Sequence, residues 1–111
     1  MHNISGEAAE DEVAKHLKNL GYKIIEKNWK TRWCEIDIIA KKDNRMHFVE
    51  VKYRSSDQQG SGFDYITPKK LHKMDLAARS WIEINGWTEE HTLSAAEVSG
   101  FDFKVDFIED L

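Results

Sequence analysis

A single cysteine and a single proline occur in this 111-residue chain, and each scarcity excludes something. Cys34 has no partner for an intramolecular disulfide, and the five histidines are scattered without close Cys/His ligand spacing. Neither a disulfide framework nor a structural zinc site is therefore expected to hold the fold. No apolar run approaches the roughly 18 residues that suggest a membrane span. The opening MHNISGEAAEDE lacks the basic n-region and the apolar h-region of a signal peptide. These absences predict a cytoplasmic protein without membrane contact. A chain of this length buries about two-thirds of the surface it exposes when unfolded, which is enough for one domain, residues 1–111.

A basic excess is also missing. The net charge is −4, which argues mildly against a general nucleic-acid binder. The average hides an asymmetry. Residues 1–80 carry 15 Lys and Arg against 12 Asp and Glu, whereas residues 81–111 set Lys104 against eight acids. A polyanion is expected to meet the first part and avoid the last.

Periodicity orders the elements. Ala9, Val13, Leu17 and Leu20 mark one apolar helix face over Glu7–Leu20, with Gly21 following it. Strands are predicted at residues 22–29, 33–40 and 46–54, the last two joined through Asp43-Asn44. A polar loop with two glycines, residues 55–65, precedes Thr67-Pro68, which caps and opens a second helix. Leu71, Met74, Ala78 and Trp81 form its stripe, and Gly86 ends it. Residues 92–98 and 101–108 then flank Ser99-Gly100 as a hairpin. Its wet face comes from Asp102, Lys104 and Asp106, alternating with Phe101, Phe103, Val105 and Phe107. The order α-β-β-β-α-β-β predicts an α/β fold with a mixed central sheet flanked by helices.

The hairpin CEIDIIAKKDNRMHFVEVKYR, residues 34–54, puts charges inside its strands. With Asp43 and Asn44 as the loop, Asp37 lies opposite Glu50 and Glu35 opposite Lys52, all four on one face. Ile36, Ile38, Val49 and Val51 take the other. Two carboxylates directly opposite repel by about 4 kcal/mol at 4 Å and an effective dielectric near 20. A hard divalent cation offsets that, since Mg²⁺ needs only one or two protein carboxylates and makes bound water a better nucleophile. Lys52 would position that water or stabilise charge developing on a phosphate. The plainer alternative is an ordinary Glu35–Lys52 cross-strand ion pair, with Asp37 and Glu50 merely on an exposed face. The neighbouring Ile39, Phe48 and Met46 speak against full exposure.

Lys69, Lys70 and Lys73 crowd the first turns of the second helix, where the macrodipole disfavours cations. Their placement suggests a bound anion, because helix-start N–H groups already bind phosphate. A solvated lysine face accounts for them equally well. Glu7 suits the first turn of its helix for the same dipole reason. Trp29 and Trp33 flank KTR and would stack on exposed bases, although core packing is the commoner use of such residues. His47 and His72 stand isolated.

An Asp followed by Glu-x-Lys on the next strand, with a helical Glu before them, resembles the PD-(D/E)xK nuclease motif. More closely, GEAAEDEVAKHLKNLGYKIIEKNW, EIDIIA, FVEVKYR and ITPKKLHKMDLAARSWI resemble the YraN-like family of small proteins related to Holliday-junction resolvases. The similarity covers nearly the whole chain. It implies a single restriction-endonuclease-like domain that cleaves DNA with Mg²⁺ or Mn²⁺. By that resemblance Asp37 and Glu50 match the metal-binding acids, joined by the helical Glu7, and Lys52 the catalytic lysine. Glu35 matches the acid two before the aspartate, Arg54 the basic residue after the lysine, and Lys70 the second-helix lysine, with Lys69 one register away. The family usually has Gly where this chain has Cys34, a place where close backbone approach would matter.

The expected activity is hydrolysis of DNA phosphodiester bonds, branched and Holliday-junction-like DNA included. Arg54, Lys69, Lys70 and Lys73 would serve as phosphate contacts. A two-fold junction would suit a homodimer, which no sequence feature requires. Two other classes compete: a noncatalytic nucleic-acid-binding module of the same fold, and a protein-interaction domain using the acidic residues 81–111.

Overall fold

The computed structural model describes residues 4–54, 63–100 and 102–111. The loop predicted from residue 55 lies outside them as far as residue 62, and so does Phe101. Helix α1 (Ile4–Asn19) forms where the stripe predicts, and Ala9, Val13 and Leu17 are fully buried along it. Leu20 is a correction. It lies just past the last helical residue, immediately before the left-handed Gly21 at φ 96°, and is 47% exposed.

Strands β1 (Lys23–Lys30), β2 (Glu35–Lys42) and β3 (Arg45–Arg54) follow. Asp43 and Asn44 both take positive φ, 52° and 66°, as a two-residue I′ hairpin turn requires. Lys42 consequently faces Arg45, as predicted. A 3₁₀ turn (Phe63–Tyr65) leads to helix α2 (Pro68–Asn85). The Thr67 hydroxyl accepts the Lys70 N–H at 3.1 Å, an N-cap that satisfies an otherwise orphaned helix-start donor.

Strands β4 (Glu90–Ser99) and β5 (Lys104–Glu109) complete one sheet in the order β1-β2-β3-β4-β5. Only β3 and β4 are parallel, since α2 carries the chain back between them; the other neighbours are antiparallel. The observed architecture is thus the predicted mixed sheet with helices. The last hairpin opens later than expected. Phe103 sits in the turn at φ 53°, and the wet alternation begins at Lys104, with Lys104 and Asp106 exposed and Val105 and Phe107 half-buried.

Two apolar layers form. Ala9, Val13 and Leu17 of α1 pack with Ile38, Ala40, Val49, Ala96 and Val98. On the other side Met74, Ala77, Ala78 and Trp81 of α2 pack with Ile36, Ile39, Met46 and Phe48. No helix among the described residues is long and apolar enough to cross a membrane.

Gly86 closes α2 at φ 68°, its N–H donating to the Ile82 carbonyl. No atom lies within 4 Å of where a Cβ would stand, so only backbone strain opposes a side chain there. Gly86→Ala is expected to cost about 1 kcal/mol, read as a lowered urea midpoint with an unchanged slope.

Candidate active site

The β2–β3 ladder holds the predicted register from Lys42↔Arg45 to Ile38↔Val49 and then stops. The predicted facing pair Asp37–Glu50 does not form as a ladder pair. Instead the Asp37 carboxylate accepts the Val51 N–H at 2.8 Å, a side chain taking the place of a neighbouring strand's carbonyl.

The cause is local. Ile36 packs in the α2 layer and Ile38 in the α1 layer, although strict alternation would put both on one face. Across the β1–β2 ladder, Lys27 pairs with Ile38 and Trp29 with Ile36. Asn28, between them and opposite Asp37, has φ 57°. One residue in each strand therefore steps out of alternation, and β2 parts from β3 at Asp37. Of the predicted group, Ile38, Val49 and Val51 share the α1 layer, and only Ile36 departs from it at this kink.

Charges collect in the opening. Asp37 is only 9% exposed. Burial pushes its pKa up to about 7; the Val51 N–H opposes the rise, while Glu50, Glu10 and Glu35 add to it. Burial likewise raises the pKa of Glu50, and Lys70 is the main counterweight, its Nζ lying 3.3 Å from the carboxylate. Lys52 and Glu35 act on Glu50 more weakly and in opposite senses.

Of the remaining predicted residues, Lys52 is exposed with its ammonium over the Tyr65 ring at 5.9 Å. No ion pair joins it to Glu35 among the described residues. Arg54 is half-buried and tied to the neighbouring strand: its Nε donates to Glu97 on β4 at 2.5 Å, and its guanidinium lies 5.5 Å from the centre of the Tyr65 ring. Glu7 is exposed on the first turn of α1.

The α1 acid that reaches the Asp37 field is Glu10, one turn further on. Burial raises its pKa, the Asn28 side-chain amide partly offsets that, and Glu35 reinforces it. Sequence reasoning passed over Glu10, although its place next to Ala9, at the edge of the apolar stripe, turns it toward the sheet.

Beside the carboxylates lies a cavity of about 410 Å³ lined by Trp33, Cys34, Tyr65, Thr67, Lys69, Lys70 and Lys73. Cys34 connects the two features. Burial raises its thiol pKa, and it feels Lys70 and Lys73 on one side and Glu50 and Asp37 on the other. Trp29 and Trp81 belong to the α2 apolar layer, so core packing accounts for them. A smaller cavity of about 260 Å³ lies at the hairpin end, near Lys42, Arg45 and His47. There His47 is buried, its Nδ1 3.2 Å from the Ser94 hydroxyl, and burial lowers its pKa. That is a structural histidine.

Among the described residues no three His, Cys, Asp or Glu side chains are placed to hold one metal ion, so the expected Glu7–Asp37–Glu50 ligand set is not assembled. Asp37 and Glu50 are hard oxygen donors, Glu50 paired with Lys70 and Asp37 raised in pKa by burial and by Glu50. That donor set fits Mg²⁺ or Mn²⁺, which keep water ligands, and does not fit zinc.

The model of a family described as "Uncharacterised protein family UPF0102" matches residues 9–109. A UPF0102 protein of a Sulfurihydrogenibium species is 38% identical over 93% of this chain and 80% of its own length. Another from Cytophaga hutchinsonii is 34% identical over 97% of this chain and 96% of its own. A third, from Flavobacterium psychrophilum, is 36% identical over 98% and 93% respectively.

Proposed function

The chain belongs to the UPF0102, or YraN-like, family, and from that premise we propose that it is a divalent-metal-dependent endonuclease acting on DNA. The observation that carries this is the break at Asp37, where a buried and a half-buried carboxylate, both of raised pKa, lie with Lys70 at Glu50 beside a cavity lined by three lysines. Buried acids crowded together at a cleft are a common signature of catalytic sites.

Asp37 and Glu50 would hold the ion, which when bound supplies charge neutralisation and an activated water. Asp37 must surrender its proton first, so the site favours pH above about 7 for loading. Lys70, close to Glu50, is placed to move from carboxylate to substrate phosphate. Lys69 and Lys73 extend the positive wall, and Lys52, exposed with its ammonium over the Tyr65 ring, would position the water. In hydrolysis the water oxygen bonds to phosphorus, one phosphorus–oxygen ester bond breaks, and the leaving oxygen is protonated. Branched DNA is the substrate suggested by the family resemblance, and a homodimer would match its two-fold form.

One observation favours a noncatalytic module instead. Without metal the site neutralises itself, Glu50 through Lys70 and Asp37 by taking up a proton. Cleavage of labelled linear, single-stranded and four-way-junction DNA with Mg²⁺ or Mn²⁺ separates the two. The nuclease predicts products that disappear with EDTA and fall at least tenfold with Lys52→Ala. DNA binding by folded protein with no product from any substrate would contradict it.

A further inference from the structure

The cavity is larger and chemically more divided than a phosphate contact requires. Its volume of about 410 Å³ lies in the range of sites for whole small molecules, roughly 300–1,000 Å³. A phosphate alone would leave most of it empty. Lys69 and Lys73 have no ion-pair partner among the described residues, whereas Lys70 reaches back to Glu50.

The lining also includes aromatic side chains. Trp33 is half-buried and contributes to this cavity rather than to either apolar layer, and the Arg32 guanidinium lies 5.2 Å from the centre of its ring. Tyr65 also lines the cavity, and its hydroxyl is buried without a hydrogen-bond partner among the described residues. Such a group costs free energy until an oxygen or water reaches it. An aromatic surface and a cluster of ammonium groups lining one cavity is the pairing that single-stranded nucleic-acid sites use, with stacking for the base and charge for the backbone.

We infer that this cavity seats a nucleotide that has left its base stack, its phosphate against Lys69, Lys70 and Lys73 and its base on Trp33. The inference rests on DNA being the substrate and specifies its class. Inside an intact duplex a base is stacked on both faces and paired, so it cannot also stack on Trp33. The preferred DNA therefore carries an unpaired nucleotide at the bound position, as at a flap, bulge or single-stranded gap. Lys70, shared by cavity and Glu50, then places the phosphate of that nucleotide beside the carboxylates.

The test is fluorescence anisotropy in EDTA, where no cleavage intervenes, on three DNAs: an intact duplex, the same duplex with one unpaired nucleotide, and one with an abasic residue there. The unpaired nucleotide is expected to tighten binding at least tenfold over the duplex, and the abasic residue to lose that gain. Trp33→Ala should abolish the preference and Trp33→Phe retain it. Equal affinity for the three DNAs, measured on native protein, overturns the inference whatever the variants do. Metal-dependent cleavage without preference would overturn the nucleotide pocket and leave the nuclease standing. A preference without cleavage would do the reverse.

Discussion

Asp37→Asn is expected to stabilise the metal-free protein at pH 8 by up to about 4 kcal/mol while removing divalent-ion binding. Asp37 is buried among Glu50, Glu10 and Glu35, and its pKa rises from 3.8 to about 7 in the folded state. Each pKa unit is worth about 1.36 kcal/mol between protonation states. Between pH 4 and 7 the native state then binds more protons than the unfolded one, so stability falls as pH rises through that window. The contribution is complete below about 3.8 and lost above about 7. Glu50 shifts in the same direction and adds to the slope.

Asparagine keeps an oxygen for the Val51 N–H but carries no charge. The variant should therefore be the more stable protein at pH 8, and the two should converge toward pH 4. Urea denaturation at several pH values in EDTA reads this directly. A native protein whose stability rises from pH 5 to 8 in parallel with Asp37→Asn would show that the Asp37 environment is not as described.

Arg54→Ala is expected to destabilise by about 3–5 kcal/mol, the cost of leaving a buried charge without its partner. Its partner Glu97 is 8% exposed, and the ion pair spans the parallel β3–β4 boundary. The loss should appear in the urea midpoint of DNA-free protein. Replacing both residues, Arg54→Met with Glu97→Leu, should recover most of it, because the pair is traded for packed apolar volume. Unchanged stability together with weakened DNA affinity would return Arg54 to the phosphate-contact role that the family resemblance implies.

These two residues show where sequence sufficed and where it did not. The turn at Asp43-Asn44, the Thr67-Pro68 cap and Gly86 were legible because each is a local rule, and their φ values and hydrogen bonds agree. The stripe of α1 was legible for the same reason as far as Leu17. The kink at Asp37 was not. Alternation assumes that every residue of a strand steps to the other face, and the break depends on Asn28, on a different strand, adopting a left-handed conformation.

The site shows the same division. Asp37 and Glu50 lie in one electrostatic field as the charge pattern suggested, and Lys70 joins Glu50 from α2, which that pattern did not indicate. The helical acid nearest to them is Glu10, because helix rotation relative to the sheet, which sequence leaves open, selects between residues one turn apart. Arg54 found Glu97 because β4 returns parallel to β3, placing a carboxylate from 43 residues away in reach. Tyr65 carried no sequence signal, since an unpartnered hydroxyl is visible only once its surroundings are packed.

The central claim is that the gap at Asp37 binds a divalent cation. Isothermal titration of Mn²⁺ into native protein and Asp37→Asn at pH 8, repeated at pH 6, tests it most directly. The account predicts a saturable heat with native protein at pH 8, a weaker one at pH 6, where Asp37 holds its proton, and none with Asp37→Asn at either pH. Equal heats from the two proteins, or none from both, would contradict it.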